Sequence, residues 1–454
     1  MVRGSTLTKV GLIQLGCPKN QVDGEEMLGA IMAEHGSDCE LVGDKRDADV
    51  LIVNTCAFID SAKEESVNAI LDAVRLKKSG KISRVVVTGC LAQRYGDELA
   101  REIPEVDAFL GIESAPQVSN VVFGGLPVRR AQVTSLDEKY PLVPRSRLRA
   151  GSPWTAYLKV SEGCDHACTF CSIPSFRGKH RSKPIERLVT EARELAASGT
   201  RELCLIAQDT TAYGMDLYQR LALPELLDAL CEIEGIEWIR LLYCYPTMVR
   251  DPLIETIARQ PKVLPYIDMP LQHGDDAMLK AMKRGGSVDQ YRRLFARMRE
   301  TLPNLTLRTT FIVGFPGETD EQFDNLMRFV EDVRFDRLGV FAYSKEENTP
   351  AALLENDVPK RVAAKRRDAL MAAQQAISTD ANRSWMGREL DVLVEYQRGS
   401  ASVGRSFRDA PEIDGSVILA DTTILPGTIV RTRVTGYGPY DLSAELVPEY
   451  ALAP

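Results

Sequence analysis

Residues 161–174, SEGCDHACTFCSIP, decide how the central part of this chain folds. Cys164, Cys168 and Cys171 follow the spacing C-x3-C-x2-C. Cysteine thiolates are the usual protein ligands of iron–sulfur clusters. Three thiolates from one short loop can hold three corners of a [4Fe–4S] cube and leave the fourth iron free to bind a substrate or cofactor. The spacing therefore predicts a cluster that takes part in chemistry.

The sequence around this loop predicts its place in the fold. The loop follows an apolar, β-prone run, TAYLKVS, and precedes a helical pattern, PIERLVTEARELAASG. In α/β barrels the active site lies at the carboxyl ends of the strands. A zinc site that includes His166 is the main alternative, followed by a structural role without metal. Zinc favours paired C-x2-C elements or a later pair of histidines, and no second pair follows nearby.

Length and composition narrow the class of protein. The chain has 454 residues, 44% of them hydrophobic, which suggests about three domains with sizeable cores. It shows no apolar run of the ~20 residues that a membrane span needs and no clear signal peptide. We therefore expect a cytoplasmic enzyme with no membrane partner. Ten cysteines in such a chain indicate metal or redox chemistry, and a net charge of −8 suits a basic protein partner.

Residues 9–125 predict an open parallel α/β sheet with a second group of cysteines. The strand candidates KVGLIQLG, ADVLIVNT and ISRVVVTG each end directly at a cysteine, namely Cys17, Cys56 and Cys90. Ligands of such sheets bind beyond the carboxyl ends of the strands, so the three thiols could meet there. The alternative for each is a buried packing cysteine.

The rest of the chain predicts an α/β multidomain protein. Residues 126–150 lack periodicity and indicate a linker. Residues 151–382 repeat a strand-then-helix pattern six times and end in a connecting helix, which predicts a partial (β/α)6 barrel with right-handed crossovers. Residues 383–451 carry short β-prone runs separated by Gly, Pro and Asp, which indicates a small antiparallel OB-like barrel. We expect this barrel to be separable, so that its removal leaves both cysteine groups intact.

The central loop resembles the signature of the radical S-adenosylmethionine (SAM) family, with Phe170 just before the last cysteine. The resemblance implies that the open iron binds SAM and that one electron cleaves it to methionine and a 5′-deoxyadenosyl radical. It also implies that Phe170 lies near the adenine and that Gln208, Asp209 and the backbone near Gly314 contact SAM. Gln208 and Asp209 could instead cap the turn that follows them. No catalytic side chain is indicated beyond the cluster ligands.

Nearly the whole chain resembles the radical SAM methylthiotransferase family, whose N-terminal cysteines carry a second [4Fe–4S] cluster that holds the sulfur to be inserted. The tail resembles that family's TRAM domain. The strings that carry the resemblance to the RimO-type branch are LGCPKN, NTCAFIDSAKEES, TGCLAQRYGDEL, SEGCDHACTFCSIPSFRGKHRSKPIE, LIAQDTTAYG, TTFIVGFPGET and FAYSKEENTPA.

The RimO-type branch methylthiolates the β-carbon of an aspartate in ribosomal small-subunit protein S-twelve, free or on the ribosome. The resemblance therefore implies that protein as partner, with an electron donor such as flavodoxin or ferredoxin and a sulfur donor. The same mechanism acting on a tRNA adenosine is the alternative. An iron–sulfur protein without catalysis is a third, which SAM cleavage would exclude.

The charge of the tail is an independent indication of the substrate. Its basic residues are Arg383, Arg388, Arg398, Arg405, Arg408, Arg431 and Arg433. Its acidic residues are Glu389, Asp391, Glu395, Asp409, Glu412, Asp414, Asp421, Asp441, Glu445 and Glu449. An RNA-binding barrel needs a basic surface to contact phosphates. A balance of −3 without lysine favours a basic ribosomal protein over tRNA.

Overall fold

The computed structural model describes residues 7–112, 115–123, 146–420 and 422–447. The predicted linker, 126–150, lies outside the described residues except for 146–150. None of the helices in these ranges is both long and apolar enough to cross a membrane. The described chain forms three bodies in sequence order, each built on its own β-sheet.

The N-terminal body is an open parallel sheet covered by helices. In chain order its elements are β1 (Thr8–Gln14), α1 (Pro18–His35), β2 (Cys39–Val42), β3 (Val50–Thr55), α2 (Asp60–Lys78), β4 (Arg84–Gly89), α3 (Cys90–Glu102), β5 (Ala108–Phe109) and α4 (Ala115–Val122). The strand order is β2-β1-β3-β4-β5. All six residues of β3 are buried, as expected of a central parallel strand covered on both faces.

The central body is a six-stranded parallel sheet with crossover helices. Its elements begin with β6 (Thr155–Lys159), β7 (Ser161–Glu162), α5 (Ile173–Arg177), β8 (Arg181–Ser182), α6 (Ile185–Ala197), β9 (Glu202–Ile206), α7 (Leu223–Cys231) and β10 (Trp238–Leu241). They continue with α8 (Asp251–Arg259), β11 (Val263–Asp268), α9 (Asp276–Ala281), α10 (Val288–Thr301), β12 (Thr306–Val313), α11 (Asp320–Val333), β13 (Arg337–Ala342) and α12 (Lys360–Arg383).

The six strands of the central sheet lie side by side in sequence order, β6-β9-β10-β11-β12-β13, and do not close into a ring. This confirms the predicted partial barrel of six strand–helix units. Alternate residues of each strand face opposite sides of the sheet. Leu203 and Leu205 pack in the large core under the helices, whereas Cys204 and Ile206 pack on the inner face.

The C-terminal body is a closed five-stranded barrel, as predicted. Its strands are β14 (Glu389–Arg398), β15 (Ala401–Ser406), β16 (Val417–Leu419), β17 (Ile429–Tyr437) and β18 (Leu442–Leu446), joined in the order β14-β15-β16-β18-β17. Four of the five pairings are antiparallel, and the β16–β18 pairing is parallel. Val392, Val417 and Val434 fill its core beside Trp385.

The C-terminal barrel is fixed to the central sheet by buried ion pairs. Glu202 on the inner face accepts hydrogen bonds from Arg240 at 2.7 Å and from Arg405 of the barrel at 2.6 Å. Tyr266 donates to Asp414 of the barrel at 2.6 Å. Removing one partner of a buried pair leaves an uncompensated charge. These contacts argue against a freely separable tail, and whether its removal leaves both cysteine groups intact stays a prediction.

The N-terminal body lies across the carboxyl end of the partial barrel and touches both of its edges. At the first edge, Asp23 of α1 pairs with Lys159 at the end of β6. At the other edge, Glu346 follows β13 and accepts from Lys63 and Arg94, each at 3.0 Å. The body thus covers the end of the sheet at which the cysteine loop lies.

Candidate active site

The three N-terminal cysteines lie at adjacent strand ends. Cys17 is the residue before α1, Cys56 directly follows β3, and Cys90 is the first residue of α3 after β4. The three strands concerned are neighbours in the sheet. Gly16 has a φ of +86°, and a Cβ there would lie 2.8 Å from the Cβ and 3.1 Å from the Sγ of Cys56. A residue without a side chain is therefore required for Cys17 to approach Cys56.

The surroundings of these thiols suit a buried cluster. Burial raises the pKa of Cys56, and the charge of Cys17 adds to that shift. Burial raises the pKa of Cys90 to about 12, and the charges of Cys17 and Cys56 add to it. Arg177 opposes both shifts and donates from Nη2 to the Sγ of Cys90 at 3.1 Å. Bound iron deprotonates a coordinating thiol outright. The chemistry of this donor set therefore fits an iron–sulfur cluster.

The central cysteine loop is clamped on both sides. Gly163 has a φ of +76°, and a Cβ there would collide with the carbonyl oxygen of Lys179. The backbone N–H of Cys164 donates to the carbonyl of Gly178 at 3.1 Å. At the far side of the loop, Thr169 donates its N–H to Met282 at 3.1 Å. These bonds fix the loop before any cofactor binds.

One thiol of the central loop, that of Cys168, is in contact with a guanidinium. Burial raises the pKa of Cys164 to about 11 and that of Cys171 to about 12. Arg284 reaches the Sγ of Cys168 at 3.5 Å, and its guanidinium lies 4.0 Å from the centroid of the Tyr245 ring. Each cysteine group therefore receives one arginine N–H, from Arg177 in the first group and Arg284 in the second.

The zinc alternative does not fit this geometry. The Nε2 of His166 is hydrogen-bonded to Asp209 at 2.6 Å, and the ring is stacked on Tyr245 with centroids 3.6 Å apart. Among the described residues, no three His, Cys, Asp or Glu side chains converge closely enough to hold one metal ion. In a four-iron cube each thiolate binds a different iron, so wider spacing is required. All ten cysteines are free of disulfides.

The residues expected to contact SAM lie in two places around the loop. Phe170 packs beside Phe315 and Met282 in a small apolar cluster that includes Tyr343. Gly314, with a φ of +74°, immediately precedes Phe315, and its N–H donates to the carboxylate of Glu318. The structure thus brings Phe170 and the segment after β12 together, while the N–H of Gly314 already has a partner.

Gln208 and Asp209 differ in whether a side-chain oxygen is left without a hydrogen-bond partner. Gln208 donates to Glu162 at 2.6 Å, and its Oε1 is buried without a partner in the described chain. One oxygen of Asp209 accepts from the backbone N–H groups of Thr211 at 2.9 Å and Ala212 at 3.2 Å. Asp209 therefore caps the following turn, as its alternative role predicts. A SAM contact for either residue stays a prediction.

One buried arginine, Arg177, joins Cys90 to the segment just before the central cysteine loop, and no sequence pattern predicted its role. Besides Cys90, Arg177 contacts Glu162 and Asp23, each at 3.0 Å. Glu162 also pairs with Lys159 at 2.9 Å and lies two residues before Cys164. Arg177 and Glu162 both fall within the string that begins at residue 161, so a charged pair flanking the cysteines was the available signal. Arg284 lies far from the cysteines in the sequence, so no local signal indicated its contact with Cys168.

Three family models match the chain in the order of its three bodies. Residues 158–330 match the radical SAM superfamily. Residues 9–111 match a family described as uncharacterized protein family UPF0004. Residues 386–447 match the TRAM domain.

Curated relatives match over almost the full length. A protein of Anaeromyxobacter sp. (strain Fw109-5) is 48% identical over 98% of this chain and 95% of its own length. Proteins of Symbiobacterium thermophilum and Geobacter sulfurreducens are 47% and 46% identical, over 96% and 97% of this chain and 90% and 98% of their own lengths. All three are named ribosomal protein uS12 methylthiotransferase RimO.

Among solved structures the likeness shows the fold alone. TsrM from Kitasatospora setae, a radical SAM methyltransferase with tryptophan and a SAM analogue bound, is 13% identical with a TM-score of 0.56. The match covers 87% of this chain and 79% of that one.

Proposed function

This chain belongs to the radical SAM methylthiotransferases of RimO type, and from that membership we propose that it adds a methylthio group to the β-carbon of an aspartate in ribosomal protein uS12. The observation that carries the proposal is the 48% identity to a RimO protein over 98% of the chain. Relatives at this identity and coverage leave no body of the chain unmatched.

The enzyme uses two [4Fe–4S] clusters and SAM, as its family does. We propose that Cys164, Cys168 and Cys171 hold one cluster. When bound, the two clusters and SAM supply the one-electron cleavage of SAM and the sulfur that is inserted. Side chains cannot perform this chemistry.

The other cluster is held, in this proposal, by Cys17, Cys56 and Cys90. The remaining work of the protein is orientation and exclusion of water. The N-terminal body covers the carboxyl end of the partial barrel through Asp23 and Arg94. A covered site protects a reactive carbon radical from side reactions.

The SAM pocket in this proposal lies between the cysteine loop and the ends of β9 and β12. Phe170 packs near the segment after Gly314 and offers an apolar surface to the adenine. The unpartnered Oε1 of Gln208 is a free acceptor at the same end of the sheet. Asp209 acts through His166 and the capped turn, which orient the loop.

The exposed charge of the barrel supports a basic protein substrate. Arg405 and Arg408 are 3% and 1% exposed, so they are unavailable to a partner. The side chains of Asp409 and Asp414 are buried with them, and the balance of the remaining charged residues in the tail sequence stays acidic. A complementary basic partner is steered to such a surface, whereas the phosphates of tRNA are repelled.

The decisive experiment offers both substrates to one enzyme preparation. Reconstituted protein with SAM, a reductant and sulfide is incubated in parallel with uS12 and with tRNA, and both products are analysed by mass spectrometry. We expect one aspartate of uS12 to gain a methylthio group in place of a hydrogen. Methylthioadenosine in tRNA with unmodified uS12 would refute the substrate and leave the radical chemistry intact.

The remaining partners follow from the reaction. We propose an electron donor of the flavodoxin or ferredoxin kind, a separate sulfur donor, and the cytoplasm as the place where free or ribosome-bound uS12 is met. Pull-down of reduced flavodoxin by the full-length enzyme, compared with the oxidised form, would test the first of these.

A further inference from the structure

Lys19 is a buried cation beside one of the proposed cluster ligands. It lies in the first turn of α1, two residues after Cys17, and is 7% exposed. Its Nζ lies 3.2 Å from the centroid of the Tyr243 ring. Within the described part of the chain its ammonium has neither a hydrogen bond nor an ion pair. A buried ammonium is costly unless it is paired, and a ring contact offsets only part of that cost.

Glu162 and Asp268, the two carboxylates whose charges act on Lys19, are already bound to other cations. Glu162 accepts from Lys159 at 2.9 Å and from Arg177 at 3.0 Å. Asp268 accepts from Arg308 at 2.7 Å and from the backbone N–H of Tyr243 at 3.0 Å. Among the described residues, no carboxylate therefore pairs directly with Lys19.

The ring beneath Lys19 is held in an unusual backbone conformation. Tyr243 follows β10 and has a φ of +60°, in the left-handed region that a residue with a side chain rarely adopts. Such strain is concentrated at functional sites. The ring packs against a cluster formed by all three bodies, which includes Val22, Trp238 and Ala410. Lys19 is thus held at the carboxyl end of the central strands, where the three bodies meet.

We propose that Lys19 binds the side-chain carboxylate of the substrate aspartate and so places its β-carbon between the two cysteine groups. This inference rests on the proposed function. The β-carbon is one bond from the carboxylate carbon, so anchoring the carboxylate fixes the carbon that reacts. The positive end of α1, which begins with Pro18 beside Cys17, favours an anion at the same place.

The test pairs a substrate change with an enzyme change. Full-length enzyme with both clusters and SAM is given uS12 and a uS12 variant in which the target aspartate is asparagine. A charge-assisted hydrogen bond in a buried site is worth roughly a ten- to hundredfold preference. We expect the wild-type kcat/KM to favour aspartate by that factor and Lys19→Met to abolish the preference. Lys19→Arg should restore part of it.

Controls separate recognition from damage. Lys19→Met should keep its iron and its cleavage of SAM without substrate, because Lys19 is not a cluster ligand. Lys77→Met removes a lysine of the same body that pairs with Asp107 instead, at 2.7 Å, and should keep the wild-type preference. These results would support the carboxylate anchor.

Three results would overturn the inference. An unchanged aspartate preference in Lys19→Met is the first. Equal turnover of both substrates by the wild-type enzyme is the second. This result needs no variant, so it tests the inference even if Lys19→Met fails to fold. In both, uS12 is still modified, so the proposed function survives. Modification of tRNA instead of uS12 is the third, and it refutes the proposed function together with the anchor.

Discussion

At the scale of single residues, the two cysteine groups share one device, an arginine N–H directed at a ligand sulfur. Arg177 reaches Cys90 at 3.1 Å and Arg284 reaches Cys168 at 3.5 Å. Hydrogen bonds to the sulfurs are among the factors that set the reduction potential of a cluster. The shorter bond and fully buried position of Arg177 make it the stronger of the two.

We predict that Arg177→Gln lowers the midpoint potential of the N-terminal cluster. Loss of the guanidinium charge and its N–H···S bond destabilises the reduced, more negative cluster. The measurement is a redox titration followed by EPR, in a background with Cys164, Cys168 and Cys171 changed to Ala. Arg177→Lys should shift the potential less. Arg94→Gln changes an arginine of the N-terminal body that has no cysteine contact among the described residues, and it should not shift the potential. A potential unaffected by Arg177→Gln would contradict the prediction.

The cysteines could be found from sequence, whereas the residues that orient them could not. The spacing of Cys164, Cys168 and Cys171 is a local feature of the sequence. Cys17, Cys56 and Cys90 are recognisable because each directly follows a predicted strand. By contrast, Lys19 and Tyr243 become neighbours only when α1 lies over the end of β10. No periodicity encodes such a contact, because it depends on how two folded bodies pack.

At the scale of elements, each cysteine group depends on the ends of strands, and the two groups are built independently. The first uses three strand ends of one sheet and the second a single loop after β6. Because these elements belong to different sheets, loss of one group should leave the other formed.

We therefore predict that anaerobic reconstitution loads about eight irons, four for each three-thiolate group. Changing Cys164, Cys168 and Cys171 to Ala should halve the iron and abolish SAM cleavage. Changing Cys17, Cys56 and Cys90 to Ala should also halve the iron but leave SAM cleavage measurable. Iron analysis and chromatography of 5′-deoxyadenosine provide both readouts. Full iron in the N-terminal triple variant would contradict the assignment.

Strand β9 joins the central sheet to barrel strand β15 through a buried carboxylate. Burial alone would raise the pKa of Glu202, but the charges of Arg405 and Arg240 outweigh it and lower the pKa to about 2 from 4.5. A folded pKa below the unfolded value stabilises the protein above the unfolded pKa. That contribution is complete above pH 4.5 and is lost as the pH falls toward 2.

We predict that Glu202→Gln destabilises the full-length protein by about 3–5 kcal/mol at neutral pH, because it leaves two buried guanidinium groups without their carboxylate. The difference from wild type should be constant above pH 4.5 and shrink as the pH falls toward 2. Unfolding in urea across this range measures it. Glu237→Gln, an exposed residue of the same body, serves as the control. A difference in the free energy of unfolding that increased as the pH fell would contradict the prediction.

Strand prediction succeeded where the hydrophobic pattern was strong. Among the predicted strands, β3, β4 and β9 have runs of buried aliphatic residues that the local sequence specifies. The strands β2 and β5 have four and two residues and were not predicted. Short strands at a sheet edge bury little apolar area, so they are defined by the neighbour with which they pair.

At the scale of the whole molecule, buried polar contacts join the three bodies. Charge composition correctly indicated an acidic tail but not that several of its charges are buried against the core. Arg337 pairs with Asp409 of the barrel at 2.6 Å, and Arg308 lies 3.5 Å from Asp414. Sequence gives the sign of such charges, whereas their burial depends on the docking of two complete bodies.

We predict that ending the chain after Arg383 destabilises the central body as well as removing the barrel. The truncation would leave Glu202 with one of its two arginine partners, Arg337 without Asp409 and Tyr266 without Asp414. It would also expose the apolar cluster around Trp238. Breaking a buried pair costs about 3–5 kcal/mol, which is a large share of the stability of a typical domain.

The truncated chain should therefore melt at a lower temperature and retain less than half of the iron of the full-length enzyme under identical reconstitution. The matched comparison is the full-length Arg433→Gln variant, which loses only an exposed barrel charge and should behave as wild type. A truncated chain with full iron and an unchanged melting temperature would show that the barrel is an independent substrate-binding domain. The expected result would instead mean that substrate docking and cluster assembly cannot be separated, because side chains of the barrel pair with the central sheet that carries the cysteine loop.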